Sequence, residues 1–297
     1  MDLKKISKHP VTGAPVFYIK ETVSTMLEVK KLLKAKEQND GNLLPGASRK
    51  DMQYNSDTIL HGTTVFAGYQ SKGRGRLPER VWIAEPLSSL LCSTVLKPEK
   101  SGRQLSRIPV LLGLAVCKSI EQYAGLPCRI KWPNDVLVNG KKIAGVIAES
   151  RQNVVITGIG INCTQKNFPE SLKAASIKTA FEQQKAGGRD GMFCREINSD
   201  REQVQTDPQK LLMVLLEKIE QVLSDTNWKD KAEQLLYGME CTVSLCRGIP
   251  HAGNGETPKK NEKGIIKGLG NDGSLLFKPL NGWNVERIYS GEIDYTE

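Results

Sequence analysis

Histidine is scarce in this chain of 297 residues: there are three, His9, His61 and His251. None has a sequence neighbour at metal-ligand or triad spacing, which removes most histidine-based acid–base and zinc chemistry. The seven cysteines, at 92, 117, 128, 163, 194, 241 and 246, form no CxxC pair. Several sit inside apolar runs and read as reduced, mostly buried thiols of a cytoplasmic protein. Long hydrophobic runs are missing too. The longest, residues 110–117, is interrupted by Gly113 and falls far short of the ~20 residues that span a bilayer. Residues 1–10 carry lysines but no apolar core, so no secretory signal is expected. Aromatic residues make up 6% and do not interleave with arginine as a base-stacking platform requires. No run of five or six like charges occurs. The net charge of +9 favours anionic partners such as nucleotides, nucleic acid or acidic proteins, and otherwise reads as solvated surface.

What is present is glycine beside fixed positive charge. After the apolar run 63–68 comes Tyr69-Gln70-Ser71-Lys72-Gly73-Arg74-Gly75-Arg76. Glycine admits close backbone approach, and arginine offers a permanent fork suited to phosphates and carboxylates. Three later segments accompany it: Lys131-Trp132-Pro133-Asn134-Asp135, Lys141-Lys142-Ile143-Ala144-Gly145 and Gly158-Ile159-Gly160-Ile161-Asn162.

The pattern predicts an α+β fold, a mixed sheet with helices over residues 1–237, then a small β-barrel over 238–297. Strands are expected at 16–20, 58–68, 89–96, 128–132, 136–138, 142–149 and 154–163. Asn139-Gly140 is the favoured pair for a type I′ hairpin. Helices are expected at 25–36, with Thr25 and Glu28 forming a capping box, and at 103–123. Two more are expected at 208–224, where Asp207-Pro208 supplies an N-cap and an N1 proline, and at 228–237. The barrel strands fall at 242–245, 264–267, 275–279 and 285–289. Residues 37–57 and 182–207 are polar and irregular, and read as insertions.

Each segment has a plain structural explanation: a basic turn, a proline-fixed corner, a solvated lysine pair, a bulge in a strand. Together they supply three or four cations, a carboxylate able to hold Mg²⁺ and glycine-lined walls. That combination suits activation of a carboxylate on ATP, where preorganised cations stabilise developing negative charge without a proton-transfer histidine.

Gln70 with Gly73-Arg74-Gly75-Arg76, the Lys131–Asp135 segment, Lys142-Ile143-Ala144-Gly145 and Gly158–Asn162 resemble, in order and spacing, the successive motifs of the biotin protein ligase (holocarboxylase synthetase) family. Ser24-Thr25 resembles the family's early Ser-Thr pair, and Gly291-Glu292-Ile293 the end of its C-terminal domain. One departure stands out: residues 77–82 contain Pro78 and are one residue longer than the bacterial pattern.

The resemblance implies a class II synthetase-like core followed by an SH3-like domain. It implies a biotin–[acetyl-CoA-carboxylase] ligase, an ATP-dependent C–N bond-forming enzyme. Biotin and MgATP would give biotinyl-5′-AMP. A lysine of the biotin carrier domain of acetyl-CoA carboxylase, or of another biotin-dependent carboxylase, would then be acylated. Ser24, Thr25 and Gln70 would bind the ureido head, with Gly73, Gly75, Gly145 and Gly158 lining the biotin slot. Arg74 and Arg76 would order over the adenylate, and Lys142 would hold the biotin carboxylate and the α-phosphate. Lys131, Asn134, Trp82, Asn162 and Arg76 would serve ATP, and Asp135 a Mg²⁺ ion. Arg74, Arg76, Lys131 and Lys142 are the catalytic set. The arginine loop is expected to lack fixed structure without ligand.

With 23 residues ahead of Ser24, no N-terminal DNA-binding domain is expected, and no nucleic-acid or membrane partner. A monomer or a homodimer is equally compatible with the sequence. Two other readings stand beside this one: a lipoate protein ligase acting on lipoyl domains, and a non-enzymatic basic module that binds nucleic acid.

Overall fold

A computed structural model describes residues 3–41, 60–77, 79–97, 105–151, 153–186, 206–247 and 261–295. An eight-stranded mixed sheet runs in the order β1-β2-β3-β4-β8-β7-β6-β5. The strands are β1 (Lys4–Lys8), β2 (Pro15–Ile19), β3 (Thr64–Ala67), β4 (Ser89–Leu96), β5 (Arg129–Lys131), β6 (Asp135–Val138), β7 (Lys141–Arg151) and β8 (Val154–Asn162). Only β2 and β3 pair in parallel. The other neighbours are antiparallel.

Side chains alternate across this sheet, as a strand requires. Phe17, Ile19, Val65, Ala67, Val95 and Ile156 bury one face against Met26, Val29 and Leu33 of α1 (Thr25–Gly41). Val16, Phe66, Leu90, Cys92, Ile159 and Ile161 bury the other against α2 (Ile108–Ala124) and α4 (Pro208–Leu223). Helix α2 is almost wholly apolar and buried from Ile108 to Cys117 and meets solvent at Glu121 and Gln122, the mark of a helix that enters the core. Each buried Leu or Ile contributes about 1.5–3 kcal/mol.

The second sheet is antiparallel, in the order β12-β11-β10-β9-β13. Its strands are β9 (Thr242–Arg247), β10 (Glu262–Leu269), β11 (Leu275–Pro279), β12 (Glu286–Ile288) and β13 (Gly291–Asp294). It is seated on the core through the β10–β11 turn. Gly273 O accepts the Trp132 indole N–H at 3.0 Å, and Asp272 O accepts Ser106 Oγ at 2.6 Å. The Trp132-Pro133 peptide is cis.

Several expectations change. The capping box at Thr25 does not form. Glu28 accepts instead from Thr22 Oγ1 at 2.8 Å and Lys31 Nζ at 2.9 Å, and Thr25 N–H goes to Gln70 Oε1 at 2.7 Å. A distant amide competes better than the local carboxylate because it reaches both the Thr25 N–H and its hydroxyl. Helix α2 starts at Ile108 after a 3-10 turn, Leu105–Arg107, since Pro109 fits a first turn but not an interior. It stops at Gly125, φ 69°, whose N–H bonds Glu121 O. Helix α1 runs on into the first expected insertion, and α3 (Ile177–Ala186) takes the start of the second. Residues 42–57 and 187–205 lie outside the described residues. Strands β1 and β13 were not expected.

The Asn139-Gly140 hairpin forms, with φ 48° and 72°, and Asp207 caps α4 by accepting from Gln209 N and Lys210 N. The last of the expected helices is α5 (Trp228–Gln234), shorter than expected. Cys92, Cys117, Cys128 and Cys163 are buried, Cys241 is exposed and Cys246 half-buried. Burial pushes Cys92, Cys128 and Cys163 up to about 12, so they stay protonated. Among the described residues no helix is long and apolar enough to cross a membrane.

His9 and His61 are not isolated. Their Nε2 atoms lie 3.7 and 3.0 Å from Glu220 Oε1 on α4. Each Nδ1 accepts backbone N–H: from Val11 and Thr12 for His9, from Lys97 for His61. That arrangement turns both Nε2 atoms toward Glu220: His61 is within hydrogen-bond distance of it and ties its loop to α4, while His9 Nε2, farther off, makes no hydrogen bond among the described residues, which suits structure rather than metal binding.

Candidate active site

The period of two in the sheet sets up the site. On the α1 side, β8 presents Gly158, Gly160 and Asn162, and β7 presents Gly145, Ile147 and Glu149. Cross-strand pairing puts Gly145 opposite Gly160 and Ile147 opposite Gly158. Beyond the first turn of α1 a cleft of about 830 Å³ opens along this face, and the missing side chains of its glycines let Trp82, Met26 and Ile147 lie close against the strands.

Lys142 reaches this cleft through a β-bulge. The β6–β7 register slips between Val136 and Leu137, which pair with Ala144 and Lys142. Ile143 and Ala144 are both fully buried in the core. The extra inward residue re-aims the strand, so Lys142 and Gly145 both face the cleft. Lys142 Nζ sits 2.7 Å from Asp135 Oδ1 and 5.7 Å from the centre of the Trp82 ring.

The arginine loop is a short hairpin rather than an unstructured segment. Gly75 N–H bonds Arg80 O at 2.7 Å and Trp82 N–H bonds Gly73 O at 3.0 Å. Its apolar anchor explains the difference: Trp82 packs onto the glycine floor. A Cβ on Gly160 would stand 2.7 Å from Trp82 Cε2, and one on Gly145 3.1 Å from Trp82 Cζ3. Arg74 pairs with Glu149, which also holds Lys30 Nζ at 2.5 Å. Arg76 donates to Gly291 O at 3.0 Å, and Arg80 Nη2 lies 3.3 Å from Glu292. Burial lowers the Arg76 guanidinium below its ordinary value, while Glu292 and Asp135 act the other way.

At the closed end, Gln70 Oε1 accepts from both Thr25 N–H (2.7 Å) and Thr25 Oγ1 (3.0 Å). Its NH₂ group is therefore left for the cleft, which Ser24, Thr25 and Gln70 all line. At the other end Lys131 Nζ lies 5.1 Å from the Tyr295 ring centre. Asn134 is pinned to β7 by its amide on Val146 O at 3.1 Å. Among the described residues, Trp82 Nε1 and Asn162 Oδ1 are buried atoms of the wall without a protein partner. Unpaired buried donors and acceptors are costly, and a ligand that pairs them recovers the loss.

Fourteen of the fifteen residues singled out in the sequence line this one cleft. Gly73 is the exception: it sits behind Trp82, where a Cβ would meet Trp82 O at 3.0 Å, so its role is to close the hairpin. Sequence reasoning missed part of the wall. The segment Ser171–Ala174 enters by pairing alongside Lys142, and Tyr237, Thr242, Glu292, Asp294 and Tyr295 come from the C-terminal part. A run of polar residues after Asn162 carried no signal for the first. The Gly291-Glu292-Ile293 motif was the available signal for the second.

A Mg²⁺ site can be tested against this donor set. Among the described residues no cluster of three or more His, Cys, Asp or Glu could hold a metal ion. Asp135 is nevertheless one carboxylate on the cleft wall, which fits an ion that keeps its waters and binds chiefly to substrate phosphates.

Residues 46–166 match the biotin/lipoate A/B protein ligase family. The chain is 40% identical over 129 residues to the bifunctional ligase/repressor BirA of Bacillus subtilis, a stretch covering 41% of this chain and 39% of that protein. It is 25% identical over 271 residues to BirA of Escherichia coli, covering 85% and 83%. The chain thus spans about two fifths of the length of the first of these relatives. Its fold is that of a biotin protein ligase. The Aquifex aeolicus enzyme in complex with biotin and ATP superposes with a TM-score of 0.64 at 25% identity, covering 94% of this chain and 97% of that one.

Proposed function

We propose that this chain is a biotin protein ligase, which activates biotin with MgATP to biotinyl-5′-AMP and transfers it to a lysine of a carboxylase's biotin carrier domain. We further propose that it works in the cytoplasm, with a catalytic part to residue 237 and a barrel from 238. The observation that carries the reading is the convergence of Arg74, Lys131, Lys142 and Gly160 on one cleft. The likeness to ligases solved with biotin and ATP supports it.

In the first step the biotin carboxylate oxygen attacks the α-phosphorus and pyrophosphate leaves. Negative charge concentrates on oxygens that Lys142, Arg74 and Arg76 surround. Lys142 is held by Asp135 until then. That pair is partly exposed, 37% and 24%, and such pairs contribute about 0–1 kcal/mol. Exchange for a polyanion therefore costs little. Magnesium brought with the nucleotide would neutralise phosphate charge beside Asp135 and Lys131. The ureido head would take the Gln70 NH₂ and the Ser24 and Thr25 hydroxyls, with Gly145 and Gly158 leaving it room. Trp82, Asn134 and Asn162 would face the nucleotide. In the second step the carrier amine attacks the acyl carbon and AMP leaves. The Arg74–Arg76 hairpin keeps water from the anhydride meanwhile.

The test is incubation with biotin, MgATP and a biotin carrier domain, followed by mass spectrometry. One biotin on one carrier lysine is expected. Lipoyl-AMP formation without biotinyl-AMP would overturn the reading.

A further inference from the structure

Ser93 belongs to none of the motifs above. It lies on the α1 face of β4, wholly buried, opposite Gly158 on β8. Its Oγ is 2.7 Å from Thr25 Oγ1, and Thr25 is 2% exposed. Thr25 Oγ1 is in turn 3.0 Å from Gln70 Oε1, which also takes the Thr25 N–H.

The protons in this chain can be assigned by counting. An amide oxygen only accepts, and a hydroxyl has one proton. The Thr25 proton therefore goes to Gln70, so the proton between Ser93 and Thr25 comes from Ser93. The direction is fixed: Ser93 to Thr25 to Gln70. Gln70 cannot flip its amide, because its NH₂ would then face the Thr25 N–H. The cleft is left with a donor at Gln70 Nε2 and a spare lone pair on Thr25 Oγ1. A cyclic urea presents the complement, one acceptor oxygen and N–H donors.

We propose that Ser93 is a positioning residue for urea recognition, acting through Thr25 to hold the donor and acceptor pattern at the closed end of the cleft. This rests on the biotin reading and names the specificity device of that site. Ser93 touches no ligand. Its removal frees the Thr25 hydroxyl to rotate and unlocks Gln70.

The experiment measures calorimetric Kd values for biotin, for 2-iminobiotin, in which an imine replaces the urea oxygen, and for a non-hydrolysable ATP analogue. The proteins are the wild type, Ser93→Ala, Ser93→Cys, Thr25→Ala and the Ser93→Ala/Thr25→Ala double variant. Losing one such hydrogen bond should weaken biotin about three- to tenfold. Iminobiotin discrimination should narrow and ATP-analogue binding should not move. In the Thr25→Ala background Ser93→Ala should add nothing, and Ser93→Cys, a weaker donor of nearly the same size, should fall between. If Ser93→Ala does not fold, Ser93→Cys against the wild type carries the same comparison. Unchanged biotin affinity, equal weakening of both substrates, or full additivity with Thr25→Ala overturns the proposal. A wild type that binds no biotin at all would sink the ligase reading itself, a result separate from these.

Discussion

Trp82 rests on Gly160, and there is no room between them for a methyl group: a Cβ at 160 would lie within 3.1 Å of three indole atoms. Gly160→Ala must therefore lift the indole. Overpacking of this kind costs about 1–3 kcal/mol, which a core of this size tolerates. Pyrophosphate release in the presence of biotin and ATP is expected to drop at least as far as the melting temperature suggests, because the lifted ring intrudes on the nucleotide's side of the cleft. Unaltered release from this variant would separate Trp82 from the site.

Lys142→Ala removes the cation that the bulge at Ile143 aims into the cleft. Loss of one preorganised charge stabiliser reduces turnover by roughly 10²–10³-fold. Adenylation should fall by that order while an ATP analogue still binds. Lys142→Arg should not restore it, since the planar fork cannot copy a compact ammonium in a slot measured by Gly145. A single-turnover assay of adenylate formation decides the matter.

Arg76→Gly cuts the bond from the hairpin to Gly291 O. A charged hydrogen bond contributes about 1.5–3 kcal/mol, so the adenylate should escape roughly ten- to a hundredfold faster. The readout is biotin on lysines of a bystander protein such as albumin. A bystander as clean as with the wild type would refute the retaining role.

His9 supplies a pH dependence. Burial lowers its pKa below 6.5, Glu220 opposes this, and the nearby His61 adds to it. The unfolded chain takes up a proton near pH 6.5 and the folded chain does not. Stability from this group is thus present above pH 6.5 and falls as the pH drops below it. His9→Asn, which keeps an acceptor for the Val11 and Thr12 amides, should flatten the decline of melting temperature between pH 7 and 5.5. A slope equal to the wild type's would assign the decline to other groups.

Gly273 should be intolerant for a different reason. Its φ is +81°, and a Cβ there would stand 2.5 Å from Arg107 Cα, a backbone atom that cannot step aside. Gly273→Ala is expected to destabilise by about 2–4 kcal/mol, read from urea midpoints at constant m-value.

Much of this was legible in the sequence because glycines and cations at strand ends carry their own explanation. The Asn139-Gly140 turn and the Asp207 cap are local devices with local signals, whereas the hairpin of the Gly-Arg loop rests on Trp82 and was not expected. What stayed hidden depends on contacts between distant residues. Thr25 looked like half of a capping box until Gln70, 45 positions on, took its amide. Ser93 is a serine in an apolar strand, and only its meeting with Thr25 gives it meaning. His9, His61 and Glu220 meet across three separate segments. The bulge that orients Lys142 leaves no mark in composition, since Ile143 and Ala144 read as any strand pair.

The contact between Arg76 and the backbone of Gly291 reaches beyond local geometry. It makes the final strand a structural stakeholder in the chemistry, although that strand contributes nothing to the sheet on which the reaction floor is built. Damage to the last few residues would then be felt first as a leaking intermediate, well before the chain lost its shape.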